Sequence, residues 1–325
     1  MKRIMWSRAL ACVTAGLLLT TGLARAETYP SKPIKIVVPF PAGGAVDLIA
    51  RVVGSQLSAQ MGQPVIVENK PGASANIGAE YVAKSAPDGY TILLSANGLA
   101  TNITLFPHAP VNALRDLAPI AKVGLAPLVL VVPEASPIKS LKDLIATAKK
   151  QPGKLTYASA GSGSSNHLGG EMLKLTAHID VLHVPYKGGA PALTDMLGGR
   201  ISWMLLNPLE VLPHIKAHQL RALAVASDKR LALLPDVPTA AEAGLPGFDA
   251  AVWWGFVAPV KTPKAVVDRL NAEIVKALHD PKTEEKLVKM GVVIEPSTPE
   301  QFGKFLKRET DKWAKVIKAA GIQPE

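Results

Sequence analysis

Cysteine is nearly missing from this chain: among 325 residues the only one is Cys12, inside an N-terminal segment that reads as a cleaved leader. Residues 27–325 then carry none, which excludes disulfides, thiol nucleophiles and cysteine-ligated metal from that part. Aromatic residues are scarce at 5%, whereas glycine (26) and proline (27) are plentiful, so many short elements joined by tight loops are expected. Beyond the leader there is no stretch of about eighteen uninterrupted apolar residues, so a soluble mature chain is expected. A basic run of five or more residues is also missing, which, in an exported protein, sets nucleic acid aside as a partner.

The leader itself has a recognisable anatomy. Lys2, Arg3 and Arg8 form a basic start, Ala9 to Leu23 is predominantly apolar, and Ala24-Arg25-Ala26 fits an A-x-A cleavage site. Residues 1–26 are therefore expected to be removed on export. Cys12 lacks the leucine three positions upstream that a lipoprotein signal carries, because Ala9 stands there. Without the leader the balance is 32 basic to 26 acidic side chains, a net of +6. That suits an anionic ligand or partner, and equally an ordinary solvated surface.

What remains alternates between strand and helix patterns. Ile34 to Phe40 is a β-branched apolar run of the buried parallel-strand type, followed by a glycine-rich turn and an amphipathic stretch from about Ala45 to Gln60. The unit recurs through strands at 65–67, 90–95, 155–158, 181–184, 201–206 and 220–225, with intervening helices. This predicts an α/β chain with a doubly wound sheet carrying helices on both faces. Long amphipathic helices are expected at 263–279, 281–290 and 299–320, the first starting with Pro263 near N1. At roughly 150 residues per domain the length predicts two units. The apolar segments near 128–132 and 253–258 bracket a self-contained block, as if the chain left one lobe, built a second and returned. The expected division is 27–127 with 251–325 as one lobe and 128–250 as the other, with a ligand cleft between them.

Three glycine-rich loops each follow a strand and precede a helix: Ala42-Gly43-Gly44, Ser159 through Gly161, Ser162 and Gly163 to Ser164, and Tyr186-Lys187-Gly188-Gly189. Small residues admit a ligand close to the backbone, and amides at a helix start attract anions. The same loops also read as ordinary strand-to-helix turns. None fits a nucleotide signature, since Asn166 stands where G-x-G-x-x-G needs its third glycine, and no serine sits in G-x-S-x-G. His214 and His218 have zinc-like spacing but lack a Glu between them and a third ligand, so no metal and no cofactor is expected. His167 either points into the cleft or bonds locally. Asp47 either meets a ligand or forms an i, i+4 ion pair with Arg51. Trp253 and Trp254 read as hinge or core, with one able to face a ligand.

Taken in order, several strings form a pattern. They are Pro39-Phe-Pro-Ala-Gly-Gly-Ala-Val-Asp47, Glu68-Asn-Lys-Pro-Gly72, Ser85-Ala-Pro-Asp-Gly-Tyr90, Val184-Pro-Tyr-Lys-Gly-Gly-Ala-Pro-Ala-Leu193 and Leu234-Pro-Asp-Val-Pro-Thr239. Across nearly the whole mature chain the set resembles the substrate-binding proteins of tripartite tricarboxylate transporters, the Bug family. The resemblance implies a two-lobed periplasmic binding protein of the type II fold that closes on a small organic carboxylate and delivers it to a membrane permease. It also implies a carboxylate held by backbone amides, small polar side chains and waters more than by charges. Carried over, the contacts would be Ala42, Gly43, Gly44, Asp47, Ser95 and Asn97 in the first lobe. Those in the second would be Ser159, Gly161, Ser162, Ser164, His167, Tyr186, Lys187, Gly188 and Gly189. Two positions depart from the family pattern: Val46 replaces a Thr or Ser, and Leu206 replaces an Asp. Both remove a hydrogen-bonding side chain, which predicts a less polar cleft suited to a longer or aromatic acid. A secreted serine hydrolase using Ser162 or Ser164 with His167, and a periplasmic sensor or adaptor lobe, stand as the rival readings.

Overall fold

The β-branched run at 34–40 forms β1 (Ile34–Val38), flanked in parallel by β2 (Val65–Asn69) and β3 (Thr91–Ser95). The computed structural model describes residues 29–323, so the leader 1–26 and Cys12 lie outside the described residues. Between these strands run α1 (Ala45–Met61) and α2 (Asn76–Ala83), followed after β3 by α3 (Gly98–Leu105) and the short α4 (Ala113–Asp116). The chain then enters β4 (Leu117–Pro127), the longest strand, and continues almost directly into β5 (Val129–Pro133).

From β5 onward the helices and strands alternate: α5 (Leu141–Lys150), β6 (Thr156–Ser159), α6 (Ser165–Ala177), β7 (Leu182–Pro185), α7 (Gly189–Leu197), β8 (Trp203–Leu206), α8 (Pro208–Lys216) and β9 (Leu220–Val225). The return strand β10 (Ala251–Pro259) precedes α9 (Lys264–Leu278), α10 (Pro281–Lys289), β11 (Val293–Ile294) and α11 (Pro299–Ala320). Two sheets result, ordered β11-β4-β10-β3-β1-β2 and β7-β6-β8-β5-β9. Each is mixed. The strand-helix repeats supply the parallel part, while β10 and β4 in one sheet and β5 in the other run antiparallel to their neighbours. This modifies the doubly wound expectation, because a chain that passes between sheets and returns brings its crossing strands in antiparallel.

The apolar segments expected to bracket the second block fall in different sheets: β5 lies in the second and β10 in the first. The chain passes between sheets at three buried residues, Leu128, Ala226 and Ala250. Their backbones are bonded together: Leu128 N–H donates to Ala250 O (2.9 Å), Ala226 N–H to Leu128 O (2.8 Å) and Ala250 N–H to Ala226 O (3.1 Å). The amphipathic α11 packs on β4 and α3 and also reaches α6, so it touches elements of both sheets. Trp253 on β10 is buried against Phe302 and Phe305, its indole N–H donating to Glu309 (3.2 Å). No helix among the described residues is long and apolar enough to cross a membrane.

Candidate functional site

Helix α6 is seated by two glycines on its inner face. A Cβ at Gly170 would stand 2.2 Å from the Tyr157 ring, and one at Gly169 3.0 Å from Leu205 Cδ1. Only glycine lets the helix lie this close to β6 and β8. At its start Ser164 is the N-cap, its Oγ donating to Gly161 O (2.7 Å) and accepting from the His167 amide (3.4 Å). The preceding loop is folded back by His167, whose Nδ1 accepts from Gly163 N–H (3.0 Å). Beneath it lies a stack of buried or half-buried rings. His167 and His183 are 3.9 Å apart and nearly coplanar in orientation (6°), and Tyr157 stacks on both His183 and Trp203 at 4.8 Å. Burial, with the Glu171 carboxylate that Tyr157 Oη donates to (2.6 Å), pushes the Tyr157 phenol up.

The α6 start opens on a cavity of about 420 Å³. Four helix N-termini reach its wall: Ala45 and Val46 of α1, Gly98, Thr101 and Asn102 of α3, Ser164 to Asn166 of α6, and Asn207, the N-cap of α8. The aligned peptide dipoles leave these ends partly positive, but the leading amides of α3 and α8 are engaged. Leu99 N–H donates to Ala96 O, Ala100 N–H to Asn97 O and Asn207 N–H to Glu210, and Pro208 has no N–H. α1 and α6 are therefore the starts whose leading amides face the cavity. Among the described residues no charged side chain lines this cavity; Phe40, Val252 and Trp254 supply apolar wall, and Ser162 and Asn97 polar wall. The arrangement can hold a small anion by amides and hydroxyls without a lysine or arginine.

The fifteen residues singled out from sequence are distributed unevenly around it. Asn97, Gly161, Ser162 and Ser164 line the wall. The Asn97 side chain is engaged with β10, its Nδ2 donating to Ala251 O (2.9 Å) and its Oδ1 accepting from Trp253 N–H (3.1 Å). Ser159 and His167 stand one layer behind; the Ser159 hydroxyl lies 2.7 Å from His183 Nε2. Ser95 is buried beside a small void of about 20 Å³ near Asn76 and Asn102.

Asp47 is turned into its own loop, 2% exposed. It accepts from Gly43 N–H, Asn69 Nδ2 and Arg51 Nε, each at 2.9 Å. The Arg51 guanidinium foremost, with the Gly43 amide and Asn69, holds its carboxyl down at about 2. Gly43 can meet Asp47 because its φ of +84° is open to glycine, and it lines a neighbouring cavity of about 200 Å³. Gly44 is the N-cap of α1, and Ala42 is exposed beside it. Tyr186 Oη donates to Asp195 (2.7 Å), Lys187 is exposed, and Gly188 and Gly189 open α7 next to Glu210.

Val46 lies on the cavity wall, but Leu206 is buried in the core of the second sheet and does not line it. Of the tryptophans, Trp254 faces the cavity and Trp253 the core. Sequence reasoning missed Thr101, Asn102 and Asn207. The first two lie on a helix with weak apolar periodicity, and only the Asn207-Pro208 pair carries a readable helix-start signal. His214 is bonded locally, Nδ1 to Gln219 Oε1 at 2.7 Å.

This geometry has relatives. The family described as the tripartite tricarboxylate transporter family receptor, TctC, matches residues 49–322. Protein BugT of Bordetella pertussis is 40% identical over 319 residues, covering 97% of this chain and 98% of its own. Among solved structures, Rpa4515 of R. palustris with adipate superposes with a TM-score of 0.79 at 35% identity, covering 91% of this chain and 100% of its own. MatC from Rhodopseudomonas palustris with bound malate gives a TM-score of 0.74 at 30% identity, covering 89% and 100%.

Proposed function

The chain belongs to the tripartite tricarboxylate transporter receptor family, as a substrate-binding protein of the Bug type, and on that premise we propose that its 420 Å³ cavity captures a small organic carboxylate. The observation that carries the reading is the convergence of helix starts on a wall free of charged side chains. A carboxylate placed at the α6 start would accept from the leading amides of Ser165 and Asn166, with the α1 start at Ala45 and Val46 opposite. Since the amides are fixed by the backbone, they are preorganised for an anion and need no ordering of long side chains on binding. The adipate and malate in the two relatives are acids of the class proposed here.

Capture is read as closure of two lobes, 27–127 with 251–325 against 128–250, about the bonded backbones of Leu128, Ala226 and Ala250. The loaded protein, exported to the periplasm after loss of residues 1–26, then hands the acid to the membrane permease of its transporter. No covalent step is needed. Against the hydrolase reading, the His167 Nδ1 lone pair is already used by the Gly163 amide, and the Ser164 proton is directed at Gly161 O. Calorimetric titration of residues 27–325, unfolded and refolded to remove any carried ligand, tests the reading with mono-, di- and tricarboxylates, aromatic acids and amino acids. Binding of one acid class, with no binding of the matching primary amide, is expected. Silence toward every acid, or ester turnover that disappears in Ser162→Ala, would contradict it.

A further inference from the structure

The smaller cavity beside the capture site has a different chemistry. It measures about 200 Å³ and adjoins the capture cavity, with which it shares Ala45, Asn207 and Trp254 as lining. Its remaining wall is mostly apolar: Leu48 and Ile49 from α1, Leu209 from α8, and Met290 and Val292 from the turn between α10 and β11. Leu48 and Leu209, 41% and 45% exposed, border the same hollow. A single ionisable side chain reaches it, Glu210, whose carboxylate accepts from the Asn207 amide (3.1 Å).

We propose that this annex is the specificity subsite for the body of the ligand, and that the chain selects monocarboxylates with an apolar chain or aromatic ring over short or doubly charged acids. The proposal rests on the capture reading above and narrows its substrate class. With the carboxylate at the helix starts, an attached chain or ring passes Trp254 and comes to lie between Leu48 and Leu209. The space is sufficient, since a dry apolar cavity of roughly 150 Å³ takes up benzene. Glu210 places a negative charge where the far end of a longer acid arrives, so a second carboxylate there meets a like charge. A neutral tail meets none. Val46 adds an apolar side chain to the wall of the capture cavity itself.

Affinity of the refolded chain for a straight-chain monocarboxylate series from acetate to octanoate, for 3-phenylpropanoate, and for adipate paired with hexanoate tests the proposal. Tightening of roughly fourfold per methylene is expected while the annex fills, with hexanoate bound more tightly than adipate. Glu210→Gln should narrow the hexanoate–adipate gap. Leu48→Asn and Leu209→Asn, uncharged changes at exposed positions where folding tolerates them, should weaken octanoate and 3-phenylpropanoate tenfold or more and acetate far less. Flat affinity along the series, or adipate bound more tightly than hexanoate irrespective of Glu210, overturns the subsite while leaving capture intact. Failure of every acid, short or long, overturns the capture reading and this one with it.

Discussion

Asp47 accepts hydrogen bonds from the Gly43 amide, Asn69 and Arg51, and loses them when its carboxyl takes a proton. Its folded value near 2 lies below the ordinary 3.8, so its contribution to stability is complete above that ordinary value and is lost as pH falls from 3.8 through about 2. In Asp47→Asn the stability at neutral pH should fall by about 1–3 kcal/mol, since Arg51 and the Gly43 amide lose a charged acceptor. The gap between wild type and variant should close across that acid window. Thermal melts at a series of pH values check this, and two parallel curves would contradict it. The Asp47–Arg51 pair was legible in the sequence because an i, i+4 contact is local. Where Asn97 and Ser159 point was not legible. Their partners, Ala251, Trp253 and His183, lie 154, 156 and 24 residues away, and only the tertiary fold brings them together.

Elements are positioned by contacts that their own sequence only partly records. The Ser164 cap and the glycine pair at 169–170 are visible in the string, but not that Gly170 faces Tyr157. In an unpacked helix Gly→Ala stabilises by about 1 kcal/mol. Here the new methyl would meet the ring at 2.2 Å, and overpacking of that kind costs about 1–3 kcal/mol. Gly170→Ala should therefore lower the unfolding midpoint and weaken acid binding by shifting the α6 start. A raised midpoint with unchanged binding would show that the helix is not held where the site needs it. The repeated strand-helix units were readable because buried parallel strands are continuous apolar runs. Residues 98–127 were not: α3 mixes Thr and Asn with apolar residues, and β4 contains Pro119 and Pro127 and is paired to β10 with two register shifts.

At the scale of the molecule, the two sheets are joined where Leu128, Ala226 and Ala250 exchange backbone bonds, and α11 touches elements of both. Three crossings close together leave few backbone torsions able to absorb a rotation, the geometry of a hinge. Small-angle scattering should report a smaller radius of gyration with a bound acid than without, and an unchanged radius would contradict closure. The two-sheet plan followed from the order of apolar runs, whereas the antiparallel return strands did not, because strand direction is set by the crossing itself. The central claim is that fixed backbone amides, not charged side chains, hold the carboxylate. Amide nuclear magnetic resonance of the labelled chain during titration with its bound acid tests that most directly. Large downfield proton shifts are expected for Ser165 and Asn166, with Ala45 and Val46 following. Saturating binding that leaves these four amides unmoved while lysine or arginine side-chain signals shift would contradict it.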